Sequence, residues 1–169
     1  MGSIVIPDRK SVSAVDTGPA APSIAGVHVL ALPNVTMGNG FMMEMFRTDW
    51  LVNGSSVRQI NWFQLDAGAV TDWHCHAVQT DQLIGVGGTI KLALWDGRDG
   101  SPSKGATDVV RMGANNPVKV IVPAGVWHGL RNESGEAAGY VQILDVLYNH
   151  ANPDSRRLPL GNPEIPNIL

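Results

Sequence analysis

Cys75 is the only cysteine in 169 residues, so no disulfide can form within the chain. That usage suits a reducing compartment, and a cytoplasmic location is expected. Charge is scarce as well. Charged residues make up 16 % of the chain, and 12 Lys and Arg against 15 Asp and Glu leave a net charge of −3. The basic residues are scattered and form no stripe that could follow a phosphate backbone, so nucleic acid is not an expected partner. No apolar run approaches the roughly 20 residues of a membrane span. Ile4-Val5-Ile6 before Pro7 is too short for the core of a signal peptide. No membrane partner is expected. No stretch of a dozen residues carries a clean period of 3.6, so any helix is short and peripheral. Internal repeats are absent too.

What the chain has in quantity is punctuation, with 19 Gly and 11 Pro. Between these breakers lie short β-like segments at residues 27–32, 40–46, 57–65, 69–73, 83–86, 89–95, 108–112, 118–122, 129–132 and 140–147. The segment TIKLALW (89–95) alternates at period two and ends in the turn dipeptides Asp96-Gly97 and Asp99-Gly100. The expected fold class is all-β, a single jelly-roll antiparallel β-barrel over 27–151. Residues 1–26, small and Pro-containing over their second half, are expected to form a flexible N-terminal arm. Residues 152–169 carry four prolines and are expected to be an irregular tail packed on the barrel.

Three of the five histidines can be explained together. His74 and His76 are separated by one residue, and on a strand alternate side chains share a face. Both imidazoles then point one way, and Trp73 and Cys75 the other. Two imidazoles converging from one strand are half of a site for zinc, iron, nickel or copper. Asp81 follows five residues later, at the start of the next strand, where it can add a carboxylate oxygen. The second stretch, PAGVWHGLRN, is a turn at Pro123-Ala124-Gly125 followed by His128 on a new strand. His28 and His150 belong to no motif.

The first stretch reads G-x5-H-x-H-x4-D-x6-G over 68–88, and the second reads P-x-G-x-x-H-x-x-x-N over 123–132. In order and spacing they resemble the two motifs of the cupin superfamily. Asp81 stands where most cupins carry Glu, and Pro117 where a Gly precedes the second motif. The resemblance implies a β-barrel in which His74, His76, Asp81 and His128 bind one divalent metal ion: zinc, nickel, iron or manganese.

Flanking residues resemble one cupin branch, the dTDP-4-dehydrorhamnose 3,5-epimerases (dTDP-sugar isomerases). These are FMMEMFRTD (41–49), Gln59 with Asn61, residues 68–74, Ser101-Pro102, residues 123–130, and NPEIP at 162–166. The resemblance implies proton transfer beside the keto group of a nucleotide sugar, with Arg47, Gln59 and Asn61 holding the substrate. It also implies a homodimer built by exchanged strands, for which 27–32 could supply the arm. The family works with a His–Asp base, a Lys and an Arg near the developing negative charge, and a Tyr acid. His74 falls on the base. Asp81 falls on the Lys, Thr71 on the Arg and Asn162 on the Asp. Tyr148 is the candidate acid. Loss of two cations and gain of His76 and Asp81 exchanges fixed positive charge for groups that can hold a metal, a Lewis acid able to stabilise an enolate.

The expected function is therefore a metal-binding isomerase or epimerase acting on a keto sugar or similar small molecule, with His74 and Tyr148 catalytic. Trp62, Gln82 and Trp127, neighbours of the motif residues, are candidates to contact the substrate, the tryptophans by stacking. Gln79 reads as a solvent-facing turn residue and Arg156-Arg157 as a solvated pair. Two other readings stay open. One is an iron-dependent oxygenase-type cupin, which three His and a carboxylate would suit. The other is a cupin that binds a small ligand without turnover.

Overall fold

Short segments with every second residue apolar pair side by side, bury their apolar faces against each other, and leave the ends of the strands to carry polar groups. The computed structural model describes residues 21–50 and 56–169. In chain order the strands are β1 (His28–Ala31), β2 (Asn34–Met37), β3 (Gly40–Met43), β4 (Gln59–Leu65), β5 (Trp73–His76), β6 (Asp81–Val86) and β7 (Thr89–Trp95). Then come β8 (Thr107–Gly113), β9 (Val118–Val122), β10 (Trp127–Asn132), β11 (Ala138–Leu144) and β12 (Ser155–Leu158). One turn of 3-10 helix, Thr48–Trp50, is the only helical element among the described residues, and no helix is long and apolar enough to cross a membrane.

One sheet has the order β1-β9-β6-β11-β4, the other β12-β5-β10-β7-β8, and β2 with β3 makes a separate hairpin. All pairings are antiparallel. The jelly-roll class expected from the sequence is what forms, with one correction. Among the described residues the two sheets face each other without a strand hydrogen-bonded to both, so they are not closed into a barrel. They approach closely where β6 meets β8. There a Cβ at Gly85 would lie 2.6 Å from the Met112 backbone, a distance only glycine permits.

The core lies between the sheets. Leu83, Ile90, Leu92, Leu94, Met112, Val120 and Leu130 are fully buried there. Ile24 joins them, anchored by Asp108, whose Oδ2 accepts from the Ser23 and Ile24 amides. The sequence predicts a flexible arm over residues 1–26. Residues 1–20 of it lie outside the described residues, and the described end of it is packed. The segment expected as one strand over 40–46 is instead one arm of the β2–β3 hairpin, turned at Gly38-Asn39, a two-residue hairpin signal. The segment 27–32 contributes β1, which pairs with β9 of its own chain.

The outer face of the second sheet is covered by the C-terminal tail. Ile165, with Leu158, Ile168 and Leu169, packs on Trp73, Ala93, Trp95 and Trp127. The tail also contains β12, which pairs with β5 along its whole length.

A polar knot ties the loop after β7 to the N-terminal segment. Buried Asp96 accepts from the Arg98 guanidinium at 2.8 and 2.9 Å and from Ser101 and Ser103, while Arg98 also donates to the Ala25 carbonyl. The Arg98 hydrogen bonds, outweighing burial, hold the Asp96 carboxyl far below the usual carboxylate range. A depressed carboxyl stabilises the fold above its unfolded pKa near 3.8 and loses that contribution as pH falls below it. Asp96→Asn is therefore expected to cost roughly 3 kcal/mol at pH 7 and progressively less below pH 4, read by urea unfolding across that range. A deficit independent of pH would contradict the ion-pair account.

Candidate functional site

The site forms where the two sheets meet at one end. On β5, period-two alternation sends Trp73 and Cys75 outward under the tail, where both are buried, and turns His74 and His76 inward. The β10–β5 register places His128 directly opposite His74, so their side chains share that inner face. Asp81 comes from the other sheet, as the first residue of β6. One ligand atom from each of His74, His76, Asp81 and His128 lies within 4.8 Å of the others.

Hydrogen bonding decides which atoms are available. His74 Nδ1 lies 3.2 Å from the Asp72 carbonyl and His128 Nδ1 lies 3.0 Å from the Val126 carbonyl. A carbonyl only accepts, so both Nδ1 atoms carry the hydrogen, and in each neutral ring Nε2 keeps a lone pair. Backbone carbonyls orient metal-binding imidazoles in the same way. His128 Nε2 nevertheless faces another acceptor, Asp81 Oδ2, at 3.1 Å. Only an imidazolium, or a cation between nitrogen and oxygen, satisfies that contact. His76 is buried, and neither of its ring nitrogens has a hydrogen-bond partner among the described residues, although Nε2 is 3.4 Å from Asp81 Oδ2. Burial and the neighbouring His128 pull the His74 imidazole down to about 3, so it is unprotonated at neutral pH.

The donor set therefore fits a divalent ion. Three imidazoles and a carboxylate suit zinc, nickel, iron or manganese. Opposite ligands about 2.0–2.2 Å from an ion are at most about 4.4 Å apart, so the cluster needs to contract by only a few tenths of an ångström.

Burial works to raise the Asp81 carboxyl, but the facing His128 and His76 rings outweigh it and hold it well below the usual range. Its oxygens are also engaged by amides. Gln79 Nε2 donates to Oδ1 at 2.5 Å and Gln142 Nε2 donates to Oδ2 at 3.0 Å. Gln142 begins a line of amides leading away from the cluster. Its Oε1 accepts from Asn61 Nδ2 at 3.1 Å, Asn61 Oδ1 accepts from Gln59 Nε2 at 2.9 Å, and Gln59 Oε1 accepts from the Tyr148 backbone N–H at 3.0 Å. The direction of this line is fixed at both ends, because a carboxylate can only accept and a backbone N–H can only donate.

Above the cluster is a cavity of about 680 Å³. His74, His76, Gln79 and Gln142 lie on its inner side, Gln59, Asn61 and Phe63 on the β4 wall, and Tyr148, His150, Ser155 and Arg157 on the remaining rim. Phe63 and Tyr140 stack parallel inside it, centroids 4.9 Å apart. Burial and then the Asp81 charge push the Tyr140 phenol well above its ordinary value, with Arg157 opposing.

The structure thus brings together His74, His76, Asp81, His128, Gln59, Asn61 and Tyr148. It does not bring in three others. Gln82, adjacent to Asp81, must point to the opposite face of β6 and is buried on the outer side of the first sheet. Trp127 packs with Trp95 under the tail. Arg47 is held outside the cavity by Asp49 and Glu44 at 2.8 and 3.3 Å and by the Trp50 ring. Trp62 lines the cavity as an edge-strand residue, but its ring lies over Gly139, where a Cβ would come within 2.5 Å of it. Gln79 is buried on Asp81 and is not a solvent-facing turn residue. Tyr140, Phe63, Gln142, His150 and Arg157 were not singled out for the site by sequence. Alternation marks Tyr140 and Gln142 as sharing a face of β11, which is the one signal that could have found them.

The model of the dTDP-4-dehydrorhamnose 3,5-epimerase family matches residues 21–160. The spore coat polysaccharide biosynthesis protein SpsL of Bacillus subtilis is 32 % identical over 142 residues, 84 % of this chain and 93 % of that protein. A dTDP sugar isomerase from Desulfovibrio desulfuricans, 25 % identical, superposes with a TM-score of 0.79 over 85 % of this chain and 90 % of that one. The dTDP-6-deoxy-D-glucose-3,5-epimerase of Legionella pneumophila, solved in complex with dTDP-4-keto-L-rhamnose, is similar in fold. Its TM-score is 0.76 at 19 % identity, covering 85 % of this chain and 78 % of that one.

Proposed function

The chain belongs to the dTDP-4-dehydrorhamnose 3,5-epimerase family, and on that premise we propose that it is an isomerase or epimerase of nucleotide-linked keto sugars that depends on a divalent metal. The observation that carries the reading is the convergence of His74, His76, Asp81 and His128 beneath a cavity walled by amides and aromatic rings. A relative of the same fold binds a dTDP-linked keto sugar, which supports that substrate class here.

An ion held by these four residues would supply Lewis-acid stabilisation of negative charge developing on the keto oxygen. The chain does the rest. His74 Nε2 accepts the proton from the carbon beside the carbonyl, its Nδ1–H fixed on the Asp72 carbonyl. One lone pair cannot bind an ion and a proton together. His74 is partly exposed to the cavity whereas the other three donors are buried, which favours the proton-acceptor role once substrate is bound. Tyr148, at the cavity mouth, returns a proton from the other side. Gln59 and Asn61 keep one amide hydrogen each for the substrate, because their mutual hydrogen bonds use only the other. A homodimer is part of the proposal. Among the described residues the outer strand β4 has a free edge, and Val35, Met37, Phe41 and Met42 of the hairpin are exposed, an apolar surface that a second copy would cover.

Elemental mass spectrometry of tag-free protein tests the metal. About one equivalent of zinc, nickel, iron or manganese is expected in the wild type, and well under a tenth of that in His128→Ala. Deuterium uptake from heavy water into a dTDP-4-keto-6-deoxy sugar tests the chemistry. Metal-free protein that exchanges the proton at full rate would remove the ion from the reading, and loaded protein that exchanges none would remove the reaction.

A further inference from the structure

One described residue lining the cavity, Arg157, carries a fixed positive charge. It arrives on a strand of the C-terminal tail. The β12–β5 register pairs Arg157 with His74 and Arg156 with Cys75. Residues directly opposite in an antiparallel pair share a face, so Arg157 lies on the inner face with His74. Arg156 lies on the outer face, where its charge acts on the Cys75 thiol. Leu158, next along, packs outward with Trp73, in keeping with the alternation.

Among the described residues no carboxylate pairs with Arg157. The ion pairs among the described residues occupy Arg47, Arg98 and Arg111 but not Arg157. No described residue lining the cavity is acidic. The carboxylate nearest the cavity floor, Asp81, is fully buried and already engaged by Gln79, Gln142 and His128. The cavity thus carries a guanidinium on its exposed rim that pairs with no carboxylate among the described residues. A guanidinium presents a planar fork of donors that matches two oxygens of a phosphate. Opposite it the Gln59 and Asn61 amides and the Phe63–Tyr140 stack offer the neutral contacts a sugar or base needs.

We propose that Arg157 binds the phosphate of a nucleotide-linked substrate, so that the cation this pocket needs is delivered by the C-terminal strand. The assignment rests on the nucleotide-sugar reading above. Calorimetric titration of dTDP, inorganic pyrophosphate and thymidine into the metal-loaded wild type, Arg157→Gln and Arg156→Gln tests both. Expected are dTDP and pyrophosphate affinities at least about tenfold weaker in Arg157→Gln. Arg156→Gln should match the wild type, thymidine affinity should be the same in all three, and Arg157→Lys should recover part of the loss. Equal dTDP and pyrophosphate binding by wild type and Arg157→Gln would overturn the role of Arg157 and leave the nucleotide-sugar reading standing. Pyrophosphate binding that depends on Arg157, with no gain from the nucleoside, would keep the anion site and remove the nucleotide. A wild type that binds neither would overturn both. Because Arg157 is exposed and makes no ion pair among the described residues, unchanged thermal unfolding is the expected control.

Discussion

His74→Ala is expected to slow exchange of the substrate's proton with solvent by about 10²–10⁴-fold, the usual worth of a positioned general base. Three features of this residue make it the base. Its imidazole is held by the Asp72 carbonyl with the lone pair of Nε2 facing the cavity. It is unprotonated at neutral pH, because burial and the adjacent His128 lower it to about 3. It is also the one member of the four-residue cluster that is not fully buried. The same variant separates its two duties when bound metal is counted beside turnover. If His74 is chiefly the base, His74→Ala keeps most of the ion and loses the exchange. If it is chiefly a ligand, ion and exchange fall together. Exchange at the wild-type rate would exclude His74 from the chemistry altogether.

Asp81→Ala is expected to lower the stability of the metal-free protein by roughly 3–5 kcal/mol, the cost of removing one partner from a buried charged network. Asp81 has no exposed surface, and its two oxygens satisfy Gln79, Gln142 and His128. Alanine leaves all three without an acceptor. It also removes the end of the amide line that runs through Gln142 and Asn61 to Gln59. Asp81→Asn keeps the volume but turns an NH2 group toward donors, so it is expected to fall between wild type and alanine in stability and to lose the ion as alanine does. Urea midpoints of protein stripped with chelator, with metal content measured on reloading, decide both points. A loss under 1 kcal/mol in the alanine variant would mean that the network relaxes freely and that Asp81 is not its keystone.

Much of the architecture was legible because it follows from local rules. Alternation in TIKLALW predicted β7, and Gly and Pro marked the turns that keep strands short. The His-x-His spacing put two imidazoles on one face, and that inference needed no partner strand. Where the reading missed, the missing information was non-local. Nearness to Asp81 points to Gln82 as a site residue, but one step along a strand reverses the face. Trp127 follows the second motif turn, a place that suggests stacking on substrate, but the tail residues Ile165 and Leu169 claim that side of the sheet instead. Residues 152–169 gave no periodic signal strong enough to show that four of them form β12.

The sequence by itself determined the residue types of the site, the face shared by His74 and His76, and the all-β class, since each depends on spacing along one segment. The tertiary structure alone decided that Asp81 reaches across from the opposite sheet, that Gln142 and Gln79 hold it there, and that Arg157 rather than Arg156 enters the cavity. Alternation says only that two neighbouring arginines face opposite ways. Which of them faces inward depends on the register between β12 and β5, strands about 80 residues apart in the chain, and a slip of one position would exchange them.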